Sequence, residues 1–365
     1  MPGDVTWWQY GAVKRSSASR GIAFGLAAAV AFGVSAPFAK RLLDDVEPQM
    51  LAGLLYLGAF AALALLSAAR RTRVEARLRG TDLPRLVLLV IAGGVVAPVL
   101  LLLGLDRVSG INGSLLLNLE GPLTILLGLV VFGEHLSRRA GAGAVVVFAG
   151  AIVLGVESSG GAVDVAGALL IVAACACWAL DNNLTQSLTM RDPRALVMIK
   201  TGVAGVTNVG IAALIGQRAP AAAIVLGALG LGALSYGLSV YWDAIALREL
   251  GAAREAAIFA VAPFVGALVA PFVLPESFSV REVVAGLLMA VGVALLLTEH
   301  HSHRHRHEAI AHEHAHEHDQ HHQHTHDFPV AAGVRHSHAH VHEELEHRHE
   351  HVSDLHHRHE HGPED

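Results

Sequence analysis

Long, continuously apolar runs separated by short polar breaks dominate the chain between residues 20 and 300. Runs near 21–39, 49–69, 84–105, 110–132, 141–156, 165–184, 195–216, 221–245, 255–274 and 283–298 approach the ~20 residues a helix needs to cross a hydrocarbon core about 30 Å thick. They are unbroken by the apolar/polar alternation of a membrane barrel strand, so they predict helices. The expected fold is an all-α integral membrane protein with ten transmembrane helices. Composition agrees, with 53% hydrophobic and 16% charged residues and a mean hydropathy of +0.48, as in membrane proteins.

Charge sets the expected orientation. With the N-terminus inside, Lys14, Arg15 and Arg20, the arginines from Arg70 to Arg85, Arg138, Arg139, Arg191, Arg194, Arg248 and Arg254 share one face. Lys40, Arg41, Arg107, Arg218 and Arg281 occupy the other. The excess of positive charge places both termini in the cytoplasm of a bacterial-type inner membrane. Residues 1–20 resemble the charged start of a signal peptide, but nine spans follow and the segment is expected to be retained. Cys175 and Cys177 share one apolar run and match no zinc or disulfide spacing, so they read as packing residues.

The chain aligns with itself. An offset of 142 residues brings Glu134, Ser137 and Arg139 of "EHLSRR" onto Glu276, Ser279 and Arg281 of "ESFSVR", and Gly150 onto Gly292. An offset of 146 sets Phe32 against Trp178, and Pro122 corresponds to Pro263 after one insertion. Residues 21–156 and 157–299 thus form two repeats of five spans each, and an odd number of spans requires the second to be inverted. The proline-bearing fourth and ninth helices, followed by "GEHLS" at 133 and "PESFS" at 275, resemble the EamA-type transporters of the drug/metabolite transporter superfamily. "LLLNLEGPLTILLGLVVFGEHLSRR" and "CWALDNNLTQSL" are similar to a subgroup ending in histidine-rich tails. The resemblance covers residues 20 to 300 and the tail, and implies secondary transport with no defined cargo. Glu255 stands where the resemblance implies a small or hydroxylated residue.

Ionisable groups within the membrane are the first functional candidates, because a central charge costs at least about 2.5–3.5 kcal/mol. Glu120, in "LNLEGP", sits beside a proline that bends its helix and frees carbonyls. It is either a coupling carboxylate or a structural tie to a neighbouring helix. Asn112 and Asn118 favour packing or hydrogen-bonding roles. Trp178, Asp181, Asn182, Asn183 and Thr185 form either a cavity wall or the cytoplasmic end of their helix. Lys200 either reaches the interface or pairs with Asp181, the arrangement favoured here. Tyr236, Ser239 and Asp243 share one helix face, whereas Trp242 fits an interfacial belt. The stretches "GGVVAP" and "GALGLGALSYG" read as close-packing surfaces.

From His300 onward the chain carries twenty-four of its 25 histidines. Residues 300–365 lack the apolar content for a core and are expected to be disordered and cytoplasmic. His303, His305, His307, His312, His314, His316, His318, His321, His322, His324, His326, His336, His338, His340 and His342 offer overlapping H-x-H sites. Neutral imidazole suits Zn, Ni, Co and Cu(II), and the absence of tail thiols disfavours Cu(I).

The expected function is secondary transport, in the efflux direction, of a small organic metabolite, coupled to protons or sodium through Glu120. The alternative is a Ni, Co or Zn transporter whose tail buffers or senses the metal; a metal sensor or store that transports nothing ranks below it. Histidine-free spans favour the organic solute. No G-x-x-x-x-G-K-[ST] segment occurs, so the chain has no P-loop for ATP drive, and no catalytic constellation suggests an enzyme. Expected partners are the bilayer, the solute and a tail-bound divalent metal, without nucleic acid or a required cofactor; homodimerisation stays open.

Overall fold

The computed structural model describes residues 7–68, 78–132, 138–155, 164–186, 188, 192–297 and, in the tail, 301–307, 310–316, 336–342 and 345–351. Ten helical segments have the length and apolarity to cross a membrane: Ser19–Leu42, Pro48–Ala68, Gly80–Arg107, Gly110–Val130, Arg138–Gly155, Val165–Gln186, Arg194–Leu214, Ala222–Leu247, Arg254–Val273 and Val280–Leu297. They are called spans 1 to 10. The chain is a multi-pass membrane protein, and large apolar side chains such as Leu65, Val130, Leu214, Phe272 and Val280 lie on its outside, where lipid replaces water as the solvent.

Packing runs mostly between the halves. Span 1 lies along span 8, span 2 along span 7, span 3 along span 6, span 4 along span 9 and span 5 along span 10. Span 2 also packs on span 8, and span 7 on span 3. Exchanging every span with the one five later returns the same set of pairs. The span 2 and span 8 backbones touch almost directly: a Cβ on Gly58 would collide with the Leu229 carbonyl, and one on Gly232 with the Leu55 carbonyl. Glycine lets two membrane helices approach this closely.

Several spans depart from regular α-helix, and proline explains three departures. Span 1 is interrupted at Val34 between helices ending at Gly33 and starting at Ser35. Pro37 has no N–H to offer the Gly33 carbonyl four residues back. Span 4 divides into Gly110–Leu116, a 3-10 turn Leu117–Leu119 and Glu120–Phe132, two residues ahead of Pro122. Span 9 divides into Ala252–Phe259 and Ala262–Val273, with Pro263 in the opening turn of the second piece. Spans 3 and 8 each contain a π-helical stretch, Val90–Val96 and Ala233–Leu238. The two begin 143 residues apart, within one residue of the offset that aligns the halves by sequence. Such bulges loosen the ladder and are frequent at functional sites.

The loop between spans 9 and 10 explains the residues shared by the two halves. Glu276 accepts the amides of Gly110 at 2.7 Å and Ile111 at 3.1 Å, placing a carboxylate on the positive end of span 4. Ser279 and Glu282 form a reciprocal capping box at the start of span 10. The first-half counterparts of Glu276 and Ser279, Glu134 and Ser137, lie outside the described residues, as do His135, Glu157 and Glu299. Lys40 donates to the Leu105 carbonyl at 2.7 Å, setting a cation at the C-terminal end of span 3.

In the tail, strands β1 (His301–His307), β2 (Ile310–His316), β3 (His336–His342) and β4 (Leu345–His351) form two antiparallel pairs, β1 with β4 and β2 with β3. The physical reason is the alternation of histidine with other residues, which has the period of a strand. His303 faces His349 and His305 faces His347 in the first ladder; His312 faces His340, His314 faces His338 and His316 faces His336 in the second. His307 lies opposite Leu345, and His342 opposite Ile310. His318, His321, His322, His324 and His326 lie outside the described residues.

Candidate functional site

A polar centre forms where the π-helical part of span 3 meets spans 2, 6 and 7. The Gly93 carbonyl accepts two buried donors, the Tyr56 hydroxyl at 2.8 Å and the Trp178 indole N–H at 3.1 Å. One residue on, the Gly94 carbonyl accepts from Asn208 at 3.3 Å, whose side-chain oxygen accepts from Gln49 at 2.8 Å. A π-bulge leaves carbonyls without regular helical donors, and these side chains satisfy them within an apolar surrounding, as buried backbone groups require.

Asp181 follows Trp178 by three residues and so faces the same way. Its carboxylate Oδ2 is paired with the Lys200 ammonium of span 7, and the two side chains are 5% and 17% exposed. Its other oxygen, Oδ1, is buried with no hydrogen-bond partner. Gly93 lies so close that a Cβ there would overlap the Asp181 carboxyl. Lys200 thus reaches Asp181, the partner favoured from sequence.

Glu120 of span 4 lies against the adjoining face of span 6. Asn182 donates to its Oε1 at 2.8 Å, and Thr124 donates to its backbone carbonyl at 2.8 Å. Asn183 ties the Thr124 carbonyl at 3.1 Å. Glu120 is half-buried and held by a neutral amide, with no cation bonded to it among the described residues.

Through Tyr56, aromatic rings of spans 1, 2, 8 and 9 meet beside this centre. Tyr236 stacks on Tyr56 with ring centres 5.9 Å apart and meets Phe32 edge-on at 5.8 Å, while Phe32 lies 5.3 Å from Phe259.

The sequence-predicted residues thus separate. Glu120, Trp178, Asp181, Asn182, Lys200 and Tyr236 gather around the centre. Asn118 donates to the Leu115 carbonyl at 2.9 Å and mends the broken ladder of span 4. Asn112 lies at the N-terminal end of that span, its amide on the Ser109 hydroxyl at 3.1 Å. Ser239 bonds back to the Ser235 carbonyl of its own helix, and Asp243 is hydrogen-bonded to Glu255. Sequence reasoning missed Tyr56, Gln49, Gly93 and Asn208. An amide in the apolar run of span 7 was the available signal for Asn208, whereas Gly93 was taken only as a packing residue.

Comparison with known proteins follows the same lines. The profile of a family described as "EamA-like transporter family" matches residues 19–156 and again residues 165–298. A protein of Methanothermobacter thermautotrophicus described as "Uncharacterized transporter" is 31% identical over 288 residues, covering 74% of this chain and 84% of that one. A solved structure titled "Crystal structure of protein" superposes with a TM-score of 0.58 at 18% identity, covering 76% of this chain and 98% of the other. At that identity the likeness concerns the fold.

Proposed function

The chain belongs to the EamA-like transporter family, and on that premise we propose that it is a secondary carrier exporting a small organic metabolite across a bacterial-type inner membrane by alternating access. The observation that carries this reading is the polar centre itself: a buried ion pair between spans 6 and 7 and an amide-held carboxylate on span 4 sit beside the bulge of span 3 and the break of span 4. Groups so costly to place in a bilayer are retained where they bind or move something. Rigid-body rocking of two inverted halves supplies the motion. Five spans per half, the double profile match and the exchange symmetry of the packing support the inversion.

Coupling to a proton or sodium gradient is assigned to Glu120. Among the described residues its carboxylate is held by a neutral amide, so a proton or cation there would not have to displace a bonded cation. The histidine tail is a separate metal-binding element for Zn, Ni or Co, supported by histidines that face each other across both ladders.

Proteoliposome uptake under an imposed proton or sodium gradient tests the reading, using the full chain and a chain ending at Glu299 with a metabolite mixture and with Ni, Co and Zn. Gradient-driven metabolite flux in both chains is expected, with Glu120→Gln abolishing the gradient dependence. Metal flux that persists without the tail would instead make the membrane domain a metal carrier.

A further inference from the structure

The feature least explained by coupling through Glu120 is the half-satisfied carboxylate of Asp181. The residue is 4% exposed. Oδ2 takes the Lys200 ammonium, yet Oδ1 is buried without a partner. An ionised carboxylate only accepts hydrogen bonds, so the group that completes this site is a donor, and a charged donor satisfies it best. The neighbouring surface has the chemistry to hold such a group. Trp178 lies one helical turn away, and Tyr56 shares the Gly93 carbonyl with it. Tyr236 stacks on Tyr56, with Phe32 and Phe259 continuing the wall. Aromatic faces attract cations and also shelter an apolar body.

Lys200 fits the role of an exchangeable counter-ion better than that of a permanent tie. Its ammonium is a compact charge on a flexible four-carbon stem, and it is the more exposed partner of the pair, 17% against 5%. An arriving ammonium could take its place, and the carboxylate would keep a cation at every stage of the cycle. The absence of a Cβ at Gly93 holds the span 3 backbone against the carboxyl, so Asp181 is positioned before any solute arrives.

We propose that Asp181 is the recognition site for the protonated amine of an organic cation with an apolar or aromatic body, walled by Trp178, Tyr56 and Tyr236, and that Lys200 is the internal ammonium that such a solute displaces. This inference rests on the carrier reading above and narrows its cargo to a chemical class.

The test is equilibrium binding to the purified full chain in nanodiscs, by calorimetry, with 2-phenylethylamine as probe. 2-Phenylethanol and 3-phenylpropanoate serve as its neutral and anionic counterparts. Saturable binding of the amine alone is expected, and Asp181→Asn should weaken it at least tenfold. Lys200→Gln should tighten it several-fold, because the competing ammonium is gone; a pair that only braced the fold would make both substitutions weaken binding or leave it unchanged. The Lys200→Gln measurement decides the matter alone if Asp181→Asn does not fold. Equal binding of amine and alcohol, no saturable binding of the amine, or weaker or unchanged binding in Lys200→Gln would overturn the proposal. Flux in proteoliposomes separates this failure from that of the carrier reading. Transport of a neutral or anionic solute that Asp181→Asn leaves intact removes the amine site and keeps the carrier. Amine binding without flux of any solute removes the carrier and keeps the site.

Discussion

Gly93 is the position where one added methyl group should matter most. Its backbone lies against Asp181 while its carbonyl holds Tyr56 and Trp178, so Gly93→Ala must displace a carboxylate or a helix. Overpacking of this kind costs about 1–3 kcal/mol, and thermal unfolding in detergent should show a lowered Tm. Gly121→Ala, next to Glu120 but with nothing near its added carbon, should leave Tm unchanged or raise it. Outside the membrane, Asp164 accepts the Gly167 amide at 2.8 Å and the Arg107 guanidinium at 2.9 Å. The Gly167 amide first, and then Arg107, hold its carboxyl below the usual carboxylate range. A lowered folded-state value stabilises the fold above the unfolded value of about 3.9 and loses that contribution as pH falls through the folded one. The Tm difference between the wild type and Asp164→Asn should therefore be full at neutral pH and shrink below about pH 4; a difference that does not change with pH would remove the assignment. Asp181 and Lys200 could be picked out as charges in apolar runs, since type and position suffice for that. The roles of Tyr56 and Gly93 could not, because their partners lie in other spans and local sequence has no record of them.

At the scale of elements, the break in span 4 ties stability to function. Pro122 withholds an N–H from the Asn118 carbonyl, and the chain responds with the 3-10 turn Leu117–Leu119 that orients Glu120. Pro122→Ala would restore a donor and a good helix former. The variant should unfold at the same or a higher temperature while losing gradient-driven flux, because the carboxylate rotates with the straightened helix; unchanged flux would show that the break has no part in placing Glu120. The loop before span 10 gives an opposite expectation. Glu276→Ala strips the Gly110 and Ile111 amides of their acceptor and should destabilise by about 0.5–2 kcal/mol, the usual range for a lost cap, read as a fall in Tm. Pro122 was legible as a helix breaker because its effect is local. The π-helical stretches were not: glycine and small residues permit a bulge, but its placement depends on the neighbouring span and on donors such as Asn208 that take up the released carbonyls.

For the whole molecule, the excess of arginine on one face predicts that a cysteine replacing Arg218 reacts with an impermeant thiol reagent from outside intact cells. A cysteine added to the tail should react only after the membrane is opened, and the reverse pattern would turn the molecule over. Sequence alone determined the ten spans, their approximate ends and the duplication, because bilayer thickness imposes one length on every crossing and ancestry imposes one offset on the two halves. It also marked the charges in apolar surroundings, since their cost depends on chemistry and depth. Tertiary structure decided between the alternatives the sequence left open for those charges. Lys200 and Asp181 lie 19 residues apart on neighbouring spans, and Tyr56 reaches Gly93 from 37 residues away. Contacts between helices depend on crossing angle, rotation and the close approaches that glycines such as Gly58 and Gly232 allow, and these are properties of the packed bundle rather than of any one run of residues.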